Sequence, residues 1–205
     1  MALLSEYEQR QVAEAIARVE RQTDAELVTV LARRADDYAY LPLLWASLLA
    51  LLVPGVINFV FGWLNGHTLL AVQWSSFILL CLVFRIPSVT SRLIPRSVRH
   101  WRASGLARRQ FLEQNLHHTV GGTGVLIFVS EAERYVEILV DEGISRRLDN
   151  SVWEPIVKTF TEQVRQGQTL QGFVTCIEAC GTLLTTHVPL TQSRNELPNR
   201  LVMLG

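Results

Sequence analysis

Carboxylates are the first side chains in this sequence whose types and spacing suit chemistry. Glu26 opens a short β-rich run, and Asp141 and Glu142 follow another. If the two runs are strands of one sheet, three carboxylates meet near one sheet end and offer the hard oxygen donors that Ca²⁺ or Mg²⁺ prefers. The competing reading is structural: Asp141-Glu142-Gly143 as a polar turn, and Glu26 as a paired residue where a helix passes into a strand. Glu131 and Glu133 fall in a hairpin turn and are expected in solvent.

Other reactive side chains are arranged less favourably. Gly121-Gly122-Thr123-Gly124 precedes a strand, whereas phosphate-cradling glycine loops follow one and open a helix, so a tight turn is expected. His117 and His118 are adjacent and diverge by about 100° on a helix, unlike metal ligands at i, i+4. Cys176 and Cys180 do have i, i+4 spacing, but without a further Cys or His at zinc spacing they read as small core residues. Cys81 lies in an apolar segment. Neither a Gly-x-Ser-x-Gly elbow nor a His-Glu-x-x-His motif is present, and catalytic residues stay unassigned. Lys plus Arg equals Asp plus Glu at 19 each, and basic residues do not alternate with aromatics, which argues against a nucleic-acid partner.

The elements that would hold these residues begin with an apolar excess. Of 205 residues 49% are hydrophobic, more than one soluble α/β domain of this size needs. No Asp, Glu, Lys or Arg occurs between Asp37 and Arg85. Leu41 to Leu64 and Leu69 to Phe84 fill this gap, the first long enough to cross a hydrocarbon core of about 30 Å and the second near the lower limit. Asn65-Gly66-His67-Thr68 reads as a polar turn between them, giving an antiparallel transmembrane hairpin, and Pro54-Gly55 is expected to kink its first helix.

Charge orients that hairpin. Arg85, Arg92, Arg96, Arg99, Arg102, Arg108 and Arg109 follow it, Arg33 and Arg34 precede it, and its turn has no Lys or Arg. By the positive-inside rule both flanking segments are expected in the cytoplasm. Arg92, Arg96, Arg99 and Arg102 approximate helical spacing and form a candidate basic face at the membrane surface. Met1 to Val12 carries Glu6, Glu8 and Arg10 without an apolar run, so a cleaved signal peptide is not expected there.

The remaining sequence reads as one discontinuous α/β domain: a small mixed sheet covered by helices. Ser5 and Glu8 fit a capping box before an apolar stripe of Val12, Ala13, Ile16 and Val19. Strands are expected at Leu27 to Leu31, Val125 to Ser130 and Tyr135 to Val140, the last two as a hairpin. A helix is expected from about Val98 to His117, and two more are marked by Trp153, Ile156, Val157, Phe160 and Val164 and by Phe173, Ile177, Cys180 and Leu184. This divides the chain into the first part of the domain (1–40), the hairpin (41–86), the rest of the domain (87–190) and a tail (191–205).

Several stretches resemble the TPM-domain family. Ala17 to Val28, with Glu20, Thr23, Asp24 and Glu26, looks like the family's opening helix and first strand; Gly124 to Ser130, Glu133 to Ile138 and Asp141 to Ile144 resemble its central hairpin. Trp153 and Gly167 to Gly172 match the family's stretch beyond that hairpin, and Asn195-Glu196-Leu197-Pro198 resembles the tail of membrane-associated bacterial members. The resemblance implies an α/β domain tied to a membrane. For members of that family it implies accessory roles in membrane complexes or a phosphatase activity, with calcium binding for some. In such a phosphatase a metal would organise phosphate and water. The expectation is a non-catalytic, membrane-anchored accessory or scaffold domain with a membrane-protein partner, multi-pass in a bacterial inner membrane with both termini cytoplasmic. The alternative is a metal-dependent, membrane-tethered phosphatase.

Overall fold

The computed structural model describes residues 4–38, 40–62, 65–86, 94–191 and 196–205. They form two compact units, one made of Met1–Ala35 with His100–Gly205 and the other of Asp36–Arg99.

The first unit is built on a four-stranded sheet. Strands β1 (Glu26–Ala32), β2 (Gly124–Ser130), β3 (Tyr135–Val140) and β4 (Leu201–Leu204) lie in the order β3-β2-β1-β4. β1 runs parallel to β2 from Glu26↔Gly124 and parallel to β4 from Thr29↔Leu201, while β2 and β3 form the antiparallel hairpin. Every residue of β1 and β2 is buried. That explains their unbroken apolar runs: alternate side chains point to opposite faces, and both faces are covered.

Leu27, Leu31, Val125, Ile127 and Val129 share one core with helices α1 (Glu6–Glu20), α6 (Glu154–Arg165) and α7 (Thr169–His187). Val28, Val30, Leu126 and Phe128 face Ala103 and Ala107 of helix α4 (Arg96–Glu113) on the other side. Burying each large side chain contributes about 1.5–3 kcal/mol, so the two central strands anchor the unit. Two close approaches shape the first layer. A Cβ at Gly181 would lie 2.6 Å from Val19 Cγ2, so only glycine lets α7 pack this tightly on α1. Phe160 and Phe173 meet edge to face, centroids 5.0 Å apart, between α6 and α7.

The second unit contains two apolar helices, α2 (Tyr40–Phe61) and α3 (Gly66–Val83), which pack on each other. Neither holds an Asp, Glu, Lys or Arg. On α2 the buried residues are Ala46, Ala50 and Pro54, spaced i, i+4 and i+8 on one face; small side chains of this kind let helices approach closely. Gln73 Nε2 donates to the Leu51 carbonyl across the pair at 3.5 Å. The helix runs from Tyr40 to Phe61 with Pro54 inside it.

Several elements differ from expectation. Asn65 is the N-cap of α3 and Gly66, His67 and Thr68 form its first turn, so the polar tetrapeptide belongs to the helix; Trp63 and Leu64, before it, lie outside the described residues. The reason is local: the Asn65 carbonyl accepts from Leu69 N at 2.9 Å and from the Thr68 hydroxyl at 2.7 Å. Helix α4 ends at Glu113 rather than His117, because Asn115 adopts a left-handed conformation (φ 58°) and a 3₁₀ turn follows at Leu116–His118. There the His117 and His118 rings lie 4.0 Å apart instead of diverging. Asp141-Glu142-Gly143 is no simple turn: Asp141 caps a short helix α5 (Glu142–Ser145). Finally, the expected tail contains β4, whose Leu201 to Leu204 gains a ladder from β1 that only the folded chain supplies.

Candidate functional site

The end of the sheet where β1 and β2 begin and β3 finishes carries Glu26 and, just beyond β3, Asp141. The chain reaches β1 through Thr23 and Asp24, and three segments far away in sequence tie onto that junction. Asp24 N donates to the Val188 carbonyl at 3.3 Å, the Thr123 hydroxyl donates to the Asp24 carbonyl at 2.8 Å, and Glu26 N donates to the Thr123 carbonyl at 3.1 Å. The Asp24 carboxylate accepts Thr191 N at 2.9 Å and also the Thr191 hydroxyl.

Glu26 holds the returning C-terminal segment. Its Oε1 accepts Glu196 N at 3.0 Å and its Oε2 accepts Leu197 N at 3.2 Å, while Glu196 Oε2 accepts Val120 N at 2.9 Å. Burial pushes the Glu26 carboxyl above its ordinary range; the two N–H groups oppose this and the neighbouring Glu196 adds to it. Asp24, Glu26, Thr123, Arg147, Thr191 and Glu196 line a cavity of about 290 Å³ together with Val120, Gly121 and Val188. Arg147 Nη1 donates to the His187 carbonyl at 3.4 Å on its rim. Gly121 and Gly122 both have positive φ (84° and 64°), the conformation that lets this glycine turn fold beside the cavity.

The three predicted metal ligands reach this sheet end without forming a cluster. Glu26 lies in the cavity wall. Asp141 N donates to the Gly124 carbonyl at 2.9 Å, two strands from Glu26 and thus roughly 10 Å away at the spacing of a sheet. Its Oδ1 accepts Glu142 N at 2.8 Å as the cap of α5. Glu142 pairs with Arg146 at 2.6 Å on the exposed face of α5. Among the described residues no group of three or more His, Cys, Asp and Glu side chains is placed to hold a metal ion. Each Glu26 oxygen already accepts one N–H group, from Glu196 or Leu197.

Other acidic residues depart from the sequence reading. Glu133 is buried rather than solvated: its Oε2 accepts Ala35 N at 3.1 Å and the Ser130 hydroxyl. Glu131 accepts the Thr169 hydroxyl at 3.2 Å. Glu20, not foreseen, is buried at the end of α1, where its Oε1 accepts Leu27 N at 2.9 Å. Burial raises its pKa to about 8, with a further push from Glu26, against the Leu27 N–H and the Asn199 amide. A signal was present, since Glu20 follows Ile16 by one helical turn along the buried stripe.

A second polar cluster joins α4 to edge strand β3. The Ser104 hydroxyl donates to Glu137 Oε1 at 3.2 Å, and the His100 and Tyr135 rings lie 5.3 Å apart. Burial and the Glu137 charge push the Tyr135 phenol up to about 12, and burial also raises Glu137. Of the predicted membrane-surface residues, Arg96 is exposed, Arg99 and Arg102 are half-buried, and Arg92 lies outside the described residues. Cys176 and Cys180 are buried as expected, and the neighbouring Cys180, with burial, pushes the Cys176 thiol well up.

A mixed sheet with helices on both faces and an acidic cavity at one end defines an α/β domain of a recognisable kind. Residues 99–183 match the family model described as the TPM domain. Among solved structures it is similar to the NMR structure of the BA42 protein from the psychrophilic bacterium Bizionia argentinensis. The similarity has a TM-score of 0.61 at 18% identity and covers 98% of this chain and 94% of that one. At that identity the likeness is one of fold. No curated protein matches the chain.

Proposed function

We propose that this protein is a membrane-anchored TPM-domain protein that serves as an accessory or scaffold to another membrane protein, with α2 and α3 as its transmembrane hairpin and the TPM domain in the cytoplasm. The observation that carries the proposal is the outward face of the two helices. Leu51, Phe59 and Val60 of α2 and Ile78, Leu79 and Leu82 of α3 are all exposed. At about 25 cal/mol per Å² an apolar surface of this extent is unfavourable in water and favourable in a bilayer. Length agrees: at about 1.5 Å per residue, α2 spans roughly 33 Å and α3 roughly 27 Å. The TPM domain has its own two cores and needs neither helix to complete them.

The accessory role draws on the carboxylates of the cavity, which are engaged in holding backbone N–H groups. Crosslinking in intact membranes, followed by identification of co-purified proteins, tests it; a recurrent membrane-protein partner supports it, and repeated recovery of the chain alone rejects it. A phosphatase reading rests on a different observation, that Arg147 and the carboxylates of Asp24, Glu26 and Glu196 line one cavity of about 290 Å³. Turnover of a phosphate ester by purified protein, lost in Glu26→Gln, would favour that reading, and absence of turnover with Ca²⁺ or Mg²⁺ supplied would remove it.

A further inference from the structure

Helix α4 buries Ala103, Ala107 and Gln110 on one side. Successive residues turn by about 100°, so the side opposite carries Trp101, Arg108, Arg109 and Leu112, all within about 60° of the outward direction. Each of the four is exposed, Trp101 by 67% and Leu112 by 57% of its surface. The Arg102 guanidinium carbon lies over the Trp101 ring, 4.9 Å from its centroid, and adds positive charge beside the indole. From Arg96 to Leu112 the helix has no acidic residue. An indole and a leucine flanked by arginines form the pattern of a helix lying at a lipid headgroup boundary: the apolar groups enter the interface and the cations meet lipid phosphates.

From this the geometry points to an interaction surface: the Trp101–Arg108–Arg109–Leu112 face of α4 lies on the surface of a bilayer containing anionic phospholipid. The inference rests on the membrane-anchor reading and deepens it, because it gives the TPM domain a second point of attachment. The face is rotated away from the arginines that sequence spacing selected, since Arg99 and Arg102 are half-buried whereas Arg108 and Arg109 are exposed. Charge complementarity selects the occupant: arginines matched to phosphate favour an anionic lipid over a zwitterionic one.

The test uses the full chain in vesicles of phosphatidylcholine with or without phosphatidylglycerol. A photo-crosslinking amino acid is placed at position 101 or 112, with exposed Lys158 of α6 as the control site. The expected result is a phospholipid adduct, read by mass, at 101 and at 112 but not at 158. Its yield should fall several-fold without phosphatidylglycerol and in Arg108→Gln/Arg109→Gln. If the chain resists alkaline carbonate extraction yet gives no lipid adduct at either site, the surface assignment is overturned while the anchor stands. Equal yields in the two lipid compositions overturn the anionic preference, and protein adducts at these sites assign the face to a protein instead. Release of the chain by carbonate would remove the anchor reading and this one with it.

Discussion

At Glu20 burial outweighs the Leu27 N–H that its carboxylate accepts, and the group holds its proton to about pH 8. The ordinary value is 4.5, so between these limits the folded chain binds more proton than the unfolded one and stability falls as pH rises. The contribution is fully present below pH 4.5 and lost as pH climbs to about 8, at ~1.4 kcal/mol for each unit of pKa difference. Burial raises Glu26 and Glu137 as well, which adds to the trend in the same direction. Thermal unfolding at pH 5 and pH 8 should therefore show a lower midpoint at pH 8. In Glu20→Gln, which is neutral throughout, the difference should shrink; an undiminished difference would show that Glu20 does not carry it.

Glycine at position 143 is demanded by backbone contact. A Cβ there would fall 1.9 Å from the Gly121 carbonyl oxygen, so Gly143→Ala must push the glycine turn away from α5. The expected loss is about 1–3 kcal/mol, visible in denaturant unfolding, whereas a neutral outcome would mean that the turn yields freely. The surroundings of Gly143 and of Glu133 were not legible in the sequence. Asp141-Glu142-Gly143 looks like any polar turn until the Gly121 carbonyl arrives from another segment, and Glu133 looks solvated until Ala35 N and the Ser130 hydroxyl close on it.

Among the elements, β1, β2 and β3 were readable because each is a continuous or alternating apolar run with local turn signals at its ends, and the Ser5–Glu8 capping box of α1 formed as its spacing predicts. β4 was not readable. Four residues after Pro198 have little strand character alone, and their partner lies more than 160 positions earlier in the chain. The cavity is hidden for the same reason: Asp24, Thr123, Arg147, Thr191 and Glu196 meet only through tertiary structure. The carboxylate of Glu26 joins these parts through two N–H groups of the returning segment. Glu26→Ala removes both acceptors, and each hydrogen bond of this kind contributes about 0.5–1.5 kcal/mol. Amide hydrogen exchange at Glu196, Leu197 and along β4 should accelerate in this variant, while the β2–β3 hairpin stays protected. Unchanged exchange in β4 would show that its ladder with β1 is held without Glu26.

At the scale of the whole molecule, the sequence showed the apolar hairpin through the absence of charge between Asp37 and Arg85 and the arginines that follow. The α/β unit places its first strand before this insertion and the rest of its sheet after it, so both parts must return to the same side of any membrane that the hairpin crosses. Two spans satisfy this parity and one does not. The most direct test is a pair of fusions to a reporter that is active only outside the cytoplasm, one at Asn65–Gly66 between the two helices and one after Gly205. Activity at the inter-helix site and silence at the C-terminus is the predicted result; the reverse pattern, or silence at both sites with the protein expressed, would contradict a cytoplasmic TPM domain held by a membrane hairpin.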